Sequence, residues 1–286
     1  MKRTSALRKI SLPALALLLS TCAQLEEGCL DAYAVNLTID ADKACDDCCT
    51  FPQLRLDLLH KIQVRDSLKN LTLGTEVYTD GAGNPLRISD IRFYLSAVEM
   101  IKADGSTVST QGTLSLYKPD KSKFDAPDYY ALATPASLAR IVASTFRNAD
   151  QVVALRLQLG IGNPAGQADP TSAPSGHPLA LQSPSMWSAT KGYTAQRLVL
   201  LPGSSDTTTV TIETSGPSAL RTVELPLASP LSVPAGYHAT FTLRIDYAAW
   251  LRNVNILKDS RESIAQKLAD AFTASLTVVQ ASTSKN

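Results

Sequence analysis

The stretch FTLRIDY, residues 241–247, alternates strictly between apolar and polar side chains. Its phenylalanine, leucine, isoleucine and tyrosine share one face, while threonine, arginine and aspartate share the other. Successive side chains of a β-strand point to opposite faces, so this alternation predicts a strand with one buried face and one solvated face. Such a strand needs a second apolar layer against which to pack.

The same alternation recurs along the chain. LRLDLLHKI (54–62) places Leu54, Leu56, Leu58, His60 and Ile62 on one face, and VVALRLQLGIG (152–162) does the same with Val153, Leu155, Leu157, Leu159 and Ile161. Further predicted strands are IRFYLSAVEMI (91–101), GTLSLY (112–117), YTAQRLVLL (193–201), TTVTIET (208–214) and TVELPL (222–227). TDGAGNPL (79–86) and ADGST (103–107) are strong turn signals. The pattern predicts an all-β chain folded as an antiparallel β-sandwich.

Three segments depart from this pattern. TPASLARIVASTF (134–146) is interpreted as a small helical insertion. DSRESIAQKLADAFTASL (259–276) predicts a C-terminal helix packed on the sandwich, with Asp259 as N-cap and Glu262 completing a capping box. Its apolar residues recur at helical spacing and predict the packed face: Ile264, Leu268 and Phe272. Residues 162–185 are rich in Pro, Gly, Ser and Ala and form a long loop, a kind of segment that often carries function.

The N-terminus is interpreted as an export signal. A basic start precedes the apolar run Ile10 to Leu19, which has the length of a signal-peptide core and is too short to span a bilayer. The run ends at LSTC, which resembles a bacterial lipobox and implies a signal peptide over 1–21 and an acylated Cys22. An ordinary signal peptide cut near the same place is the alternative. We therefore expect a protein of the Gram-negative cell envelope, held at a membrane by lipid.

Four further cysteines lie between residues 22 and 52: Cys29, Cys45, Cys48 and Cys49. Disulfides persist outside the cytoplasm, so two bridges are expected here. A bridge between the adjacent Cys48 and Cys49 would be strained, which favours Cys29 joined to one of them and Cys45 to the other. A thiolate zinc site is the alternative. We interpret 22–52 as a lipid anchor followed by a stapled linker, and 53–286 as the folded domain.

The linker is also acidic. Asp40, Asp42, Asp46 and Asp47 resemble the calcium loops of thrombospondin-type-3-like repeats, and oxygen ligands in a tight loop suit Ca²⁺. A solvated acidic linker is the alternative.

Composition narrows the functional classes. The net charge is +1 and 19% of residues are charged, a balance that does not indicate a nucleic-acid partner. The sequence has no nucleophile elbow, no HExxH and no phosphate-binding glycine loop, so we expect a binding protein rather than an enzyme.

Four segments, in order, resemble the MbnP-like family of periplasmic or surface proteins. They are LRISDIRFYLSAVEM (86–100), LRLQLGIGNP (155–164), HPLALQSPSMWSATKGYTAQRLVLLPG (177–203) and YHATFTLRIDYAAWLRNVN (237–255). The resemblance extends from about Leu54 to Phe272. It implies a β-sandwich and, in copper-binding members, a Cu(I) site built from histidines and an oxidised tryptophan.

Carried onto this chain, the resemblance implies His60 and Trp187 as metal ligands, with His177 or Met186 as a further ligand. This chain departs from the family pattern at two positions. Ala189 stands in place of a second tryptophan, and Thr214 stands where many members have histidine. One hypothesis is a lipid-anchored protein that binds or delivers copper, with a metal-delivery or surface protein as partner. The alternative is an interaction module that has lost the metal site, in which those side chains lie far apart or are satisfied by backbone partners.

Overall fold

The computed structural model describes residues 25–45, 47–135, 140–181 and 186–285. The strands before the long loop are β1 (Glu27–Gly28), β2 (Lys43–Ala44), β3 (Gln53–Val64), β4 (Ser67–Asn70), β5 (Tyr78–Thr79), β6 (Pro85–Lys102), β7 (Thr113–Tyr117), β8 (Lys123–Pro127), β9 (Ala131–Ala133), β10 (Ile141–Thr145) and β11 (Asp150–Leu159). After it come β12 (Trp187–Ser188), β13 (Gly192–Pro202), β14 (Val210–Ser215), β15 (Arg221–Val233), β16 (His238–Asp246) and β17 (Leu276–Ser284). The helices are α1 (Tyr247–Leu251) and α2 (Arg261–Ser275), with short 3₁₀ turns at Ala165–Gln167, Pro170–Ser172 and Pro217–Ala219.

Two main sheets build the domain. The larger has the order β12-β13-β6-β11-β15, with β14 beside β13 and β5 and β9 beside β6. The smaller has the order β10-β3-β16-β17, with β4 beside β3. Their strand pairs are antiparallel except for β3 with β16, which run parallel. The predicted all-β sandwich is confirmed.

One apolar core joins the inner faces of the two sheets. Leu56 and Phe241 from the smaller sheet share it with Phe93 and Leu157 from the larger sheet, and all four side chains are fully buried. The sequence analysis assigned the wrong inward-facing residue at the start of β11. The strand's register shifts between Val152 and Ala154. This bulge turns Val152 into the core and leaves Val153, the predicted inward residue, partly exposed.

The helical interpretation of 134–146 is wrong in its second half. Ile141–Thr145 is strand β10, antiparallel to β3, with Ile141 opposite Leu56. Ile141, Val142 and Thr145 are β-branched residues that favour an extended backbone, and β3 offers a free edge. Residues 136–139 lie outside the described chain.

The C-terminal helix is confirmed, but its N-cap is wrong by one residue. The Ser260 hydroxyl, not Asp259, accepts a hydrogen bond from the Ser263 N–H at 3.1 Å. Asp259 instead accepts from the Asn255 N–H at 2.7 Å and meets the Lys267 ammonium at 2.7 Å. Ile264, Leu268 and Phe272 are buried as predicted. The helix then leads into β17, a strand that the sequence analysis did not include.

The cysteine-rich segment is pinned to the sandwich as well as stapled within itself. Disulfides join Cys29 to Cys49 and Cys45 to Cys48, in line with the pairing that the adjacent cysteines favoured. The Arg147 guanidinium contacts the Asp31 carboxylate at 2.8 Å and lies over the Tyr33 ring at 5.6 Å. This segment therefore has a fixed place on the domain instead of only spacing it from an anchor.

The proposed signal peptide (1–21) and Cys22 lie outside the described residues. Across the described ranges, no helix has the length and apolar character needed to cross a membrane.

Candidate functional site

His60 lies on the inward-facing side of β3, where its register partner in β16 is Ile245. Its Nδ1 atom is 2.6 Å from the Tyr247 hydroxyl, and the two rings stack with an interplanar angle of 7°. Its Nε2 atom is covered and has no hydrogen-bond partner among the described residues. Burial lowers the pKa of His60 to about 4, so the imidazole is neutral at pH 7.

The hydrogen bond between His60 and Tyr247 fits either neutral tautomer of the imidazole. Burial raises the pKa of Tyr247 well above its ordinary value, so its O–H stays protonated. When Tyr247 donates to Nδ1, the Nε2 atom carries an unpaired N–H; when Nδ1–H donates to the tyrosine oxygen, Nε2 presents a free lone pair. Only the second tautomer can bind a metal ion through Nε2.

The other three predicted ligands each belong to or border a second apolar cluster. Met186 is 2% exposed there, and Trp187 packs against the cluster's edge. His177 is engaged at both ring nitrogens, because Nε2 lies 3.1 Å from Asp128 Oδ1 and Nδ1 accepts the Leu179 N–H at 3.1 Å. The imidazole therefore offers a metal no lone pair unless one of these bonds breaks.

The larger sheet separates His60 from this second cluster. Tyr247, the partner of His60, belongs to the main core together with Phe93, whereas Tyr94 belongs to the second cluster with Met186. Phe93 and Tyr94 are consecutive residues of β6 and thus point to opposite faces of the sheet. Three of the four predicted ligands belong to or border the second cluster, and His60 is not among them.

The third histidine has a structural role. His238 is 7% exposed, and its Nδ1 accepts the Gln53 N–H at 2.9 Å. Burial, and to a lesser degree the nearby Arg55, lowers the pKa of His238. The bond ties the start of β3 to the start of β16.

Tyr247 is the residue of this site that the sequence analysis placed on the right face but did not connect with His60. The two residues are 187 positions apart, and they meet because β3 and β16 pair in parallel. The available signal was that His60 and Tyr247 each lie on the inward-facing side of an alternating segment.

Comparison with known proteins adds the family. The sequence profile of the MbnP family matches residues 53–267. The chain belongs to the MbnP family. Among solved structures, MbnP from Methylosinus trichosporium is similar with 14% identity and a TM-score of 0.43, covering 72% of this chain and 78% of that one. None of the curated proteins matches this chain in sequence.

This MbnP-family chain does not assemble the ligand set that the resemblance implied into one pocket. Within the described ranges, no group of three or more His, Cys, Asp or Glu side chains is placed to hold a metal ion. His60 offers one imidazole donor, and its hydrogen-bond and ring-stacking partner is Tyr247.

The acidic residues of the linker are spread over its surface. Asp42 accepts the Glu26 N–H through Oδ2 at 3.1 Å, while the Asp40 and Asp47 side chains are exposed. Asp46 lies outside the described residues. The calcium site thus stays a prediction from the sequence.

Proposed function

We propose that this chain is an extracytoplasmic, lipid-anchored MbnP-family binding protein that handles copper as cargo, with His60 as its ligand. The observation that supports this proposal is the covered Nε2 atom of a neutral imidazole, which lacks a hydrogen-bond partner among the described residues. Buried polar atoms are nearly always paired, so an unpaired ring nitrogen is a candidate ligand atom.

The chemistry of Cu(I) suits such a donor. Cu(I) is a soft ion that accepts low coordination numbers and binds neutral imidazole. His60 supplies one donor, and in this proposal a partner protein supplies the second ligand, as in transfer between a carrier and its partner. The Nε2 atom of His60 is covered, so Cu(I) uptake requires the imidazole ring to move into the open. The hydrogen bond to Tyr247 opposes this movement.

Replacing His60 by alanine is expected to weaken Cu(I) retention by at least about tenfold, since one ligand bond is lost. The measurement is a titration of purified protein with Cu(I) against a competing chelator. His177→Ala is the matched control, because it also removes one imidazole, but one whose two nitrogens are already bonded. Equal retention by wild type and His60→Ala would contradict the role of His60.

A second candidate function is a surface interaction module without metal. The observation that favours it is the use of Met186 and His177 in packing and hydrogen bonding on the far side of the larger sheet from His60. The same titration separates the two functions, because the module predicts no Cu(I) retention by the wild-type protein.

Replacing Cys22 by alanine is expected to move the protein from the membrane fraction to the soluble fraction, because acyl chains are what would hold it. The measurement is fractionation of a Gram-negative host, together with labelling by a fatty-acid analogue. A variant of Cys29, which forms a disulfide, is the control and should keep the label. Unchanged partitioning and labelling of the Cys22 variant would rule out the anchor.

A further inference from the structure

The two disulfides of the cysteine-rich segment differ in exposure and in span. Cys29 is 1% exposed, and its bridge to Cys49 joins residues that are 20 positions apart. Cys48 is exposed and Cys45 is half-buried, and their bridge joins residues that are 3 positions apart. A bridge over a short loop restricts the unfolded chain less than one over a long loop, and an exposed bridge is open to attack by a thiol. The Cys45–Cys48 bridge is therefore the one that a reductant should open first.

Other bonds hold the backbone around this bridge. The Cys45 N–H donates to the Gly28 carbonyl at 3.0 Å. The Cys48 carbonyl accepts from the Asn36 side-chain amide at 2.7 Å. The Cα atoms of the two cysteines are 5.7 Å apart. Opening the bridge breaks neither hydrogen bond, so both sulfur atoms stay within reach of one ion.

The charge around the two cysteines is negative. Residues 25–52 contain seven Asp or Glu residues and one basic residue, Lys43. Lys43 and, from the domain, Arg147 each contact one of these carboxylates, so most of the negative charge is left unbalanced. Asp47 is exposed and directly precedes Cys48. Nearby carboxylates disfavour a bare thiolate and favour a bound cation, so the surroundings suit thiols that exchange their protons for a positive ion.

We propose that Cys45 and Cys48, once reduced, form a two-thiolate site for Cu(I). Thiolates are soft ligands that select Cu(I), and this ion accepts low coordination numbers. Structural Zn²⁺ takes four ligands, and within the described ranges no group of three or more His, Cys, Asp or Glu side chains is placed to hold a metal. The pair shares no residue with the His60 site, and the proposal does not rest on the role of His60.

The reduction needs a dithiol, which supplies two electrons and becomes a disulfide itself. Its thiolate attacks the sulfur of Cys48, the more exposed of the pair, and Cys45 leaves as a thiolate that takes up a proton. The second thiol of the reductant then attacks the mixed disulfide and releases Cys48 as a thiol. Cu(I) binding replaces the two thiol protons, and the copper ion keeps its oxidation state.

Graded reduction tests which bridge opens. The chain carries Cys22→Ala, so that the four remaining cysteines are the paired ones. After treatment with increasing dithiothreitol, the free thiols are blocked with one alkylating reagent. The others are then reduced and blocked with an isotopically heavier reagent, and mass spectrometry assigns each cysteine. Cys45 and Cys48 should open at a dithiothreitol concentration at least about tenfold lower than Cys29 and Cys49. Opening of both bridges together, or of Cys29–Cys49 first, would overturn the proposal.

Cu(I) titration tests the site itself. The chain with only the Cys45–Cys48 bridge open is freed of reductant without oxygen and titrated with Cu(I) against a competing chelator, beside the fully oxidised chain. The reduced chain should bind one Cu(I) more per molecule than the oxidised chain. The double variant Cys45→Ser, Cys48→Ser, which keeps the Cys29–Cys49 bridge, should lose that additional ion. His60→Ala, treated in the same way, should keep it.

Equal Cu(I) binding by the oxidised and the reduced chain would contradict the two-thiolate site, and this comparison involves no substitution at the bridge. So would an additional ion that the double serine variant still binds. Loss of the additional ion from His60→Ala would assign that ion to the histidine and also overturn the proposal. These results are distinguishable from a failure of the proposed role of His60, because that role concerns Cu(I) binding by the oxidised chain.

Discussion

Replacing Asp80 by alanine is expected to lower the free energy of unfolding by about 4 kcal/mol, because four hydrogen bonds to one buried carboxylate are lost together. Oδ1 accepts the N–H groups of Ala82 and Asn84 at 2.9 and 2.8 Å. Oδ2 accepts the Asn84 side-chain amide at 2.9 Å and the Ile256 N–H at 2.8 Å. The carboxylate is 5% exposed, so water cannot replace it as an acceptor.

The surrounding backbone cannot relax to repair this loss. The Gly81 N–H donates to the Leu251 carbonyl at 2.8 Å, which presses the turn after β5 against the end of α1. A Cβ atom placed on Gly81 would lie only 1.7 Å from the Arg252 carbonyl oxygen. Asp80 thus joins a tight turn to the segment between α1 and α2, and its removal should loosen both.

Denaturant unfolding of wild type and Asp80→Ala measures the loss. Asp104→Ala is the matched control, because Asp104 also precedes a glycine in a turn and accepts the Ser106 N–H at 2.9 Å, but is exposed. The Asp104→Ala substitution should lower the free energy of unfolding far less, because water can replace the hydrogen bonds that Asp104 accepts. Equal losses in the two variants would show that burial of the Asp80 carboxylate does not matter.

The strands of this fold were predictable because period-two alternation survives in a sandwich with one core. FTLRIDY is buried where it was expected to be, and so is most of LRLDLLHKI. The prediction errors occur where strand pairing overrides the local pattern of apolar and polar residues. Val152 and Val153 exchange faces at a bulge, and Ile141–Thr145 is recruited as an edge strand by β3.

The site was harder to predict because its composition depends on two features of the folded sheet. These are the face to which each side chain points and the pairing of strands that are far apart in sequence. His60 and Trp187 were each assigned from family resemblance, and nothing local shows that the larger sheet lies between their clusters. The partner that His60 has, Tyr247, depends on a parallel pairing of two strands far apart in sequence.

Acidification from pH 7 to pH 4.5 is expected to remove about 2 kcal/mol of stability through His60 alone. The pKa of His60 is about 4 in the folded chain and 6.5 when it is not perturbed. Between these values the unfolded chain binds the proton and the folded chain does not, so stability falls as the pH falls through this window. The contacting titratable group, Tyr247, stays protonated throughout and adds no slope.

His60→Gln should flatten this dependence, because glutamine can still bond to the Tyr247 hydroxyl but does not titrate. The measurement is denaturant unfolding of both proteins at pH 7 and at pH 4.5. The loss of unfolding free energy between these pH values should be about 2 kcal/mol smaller in the variant than in wild type. A residual slope is expected from His238, whose pKa is also lowered by burial and whose Nδ1 must stay unprotonated to accept the Gln53 N–H. His177→Gln is the comparison for losing an imidazole outside the main core. Parallel pH profiles for wild type and His60→Gln would mean that His60 accepts a proton in the folded chain as readily as in the unfolded chain. The copper proposal would then lose the neutral imidazole on which it rests.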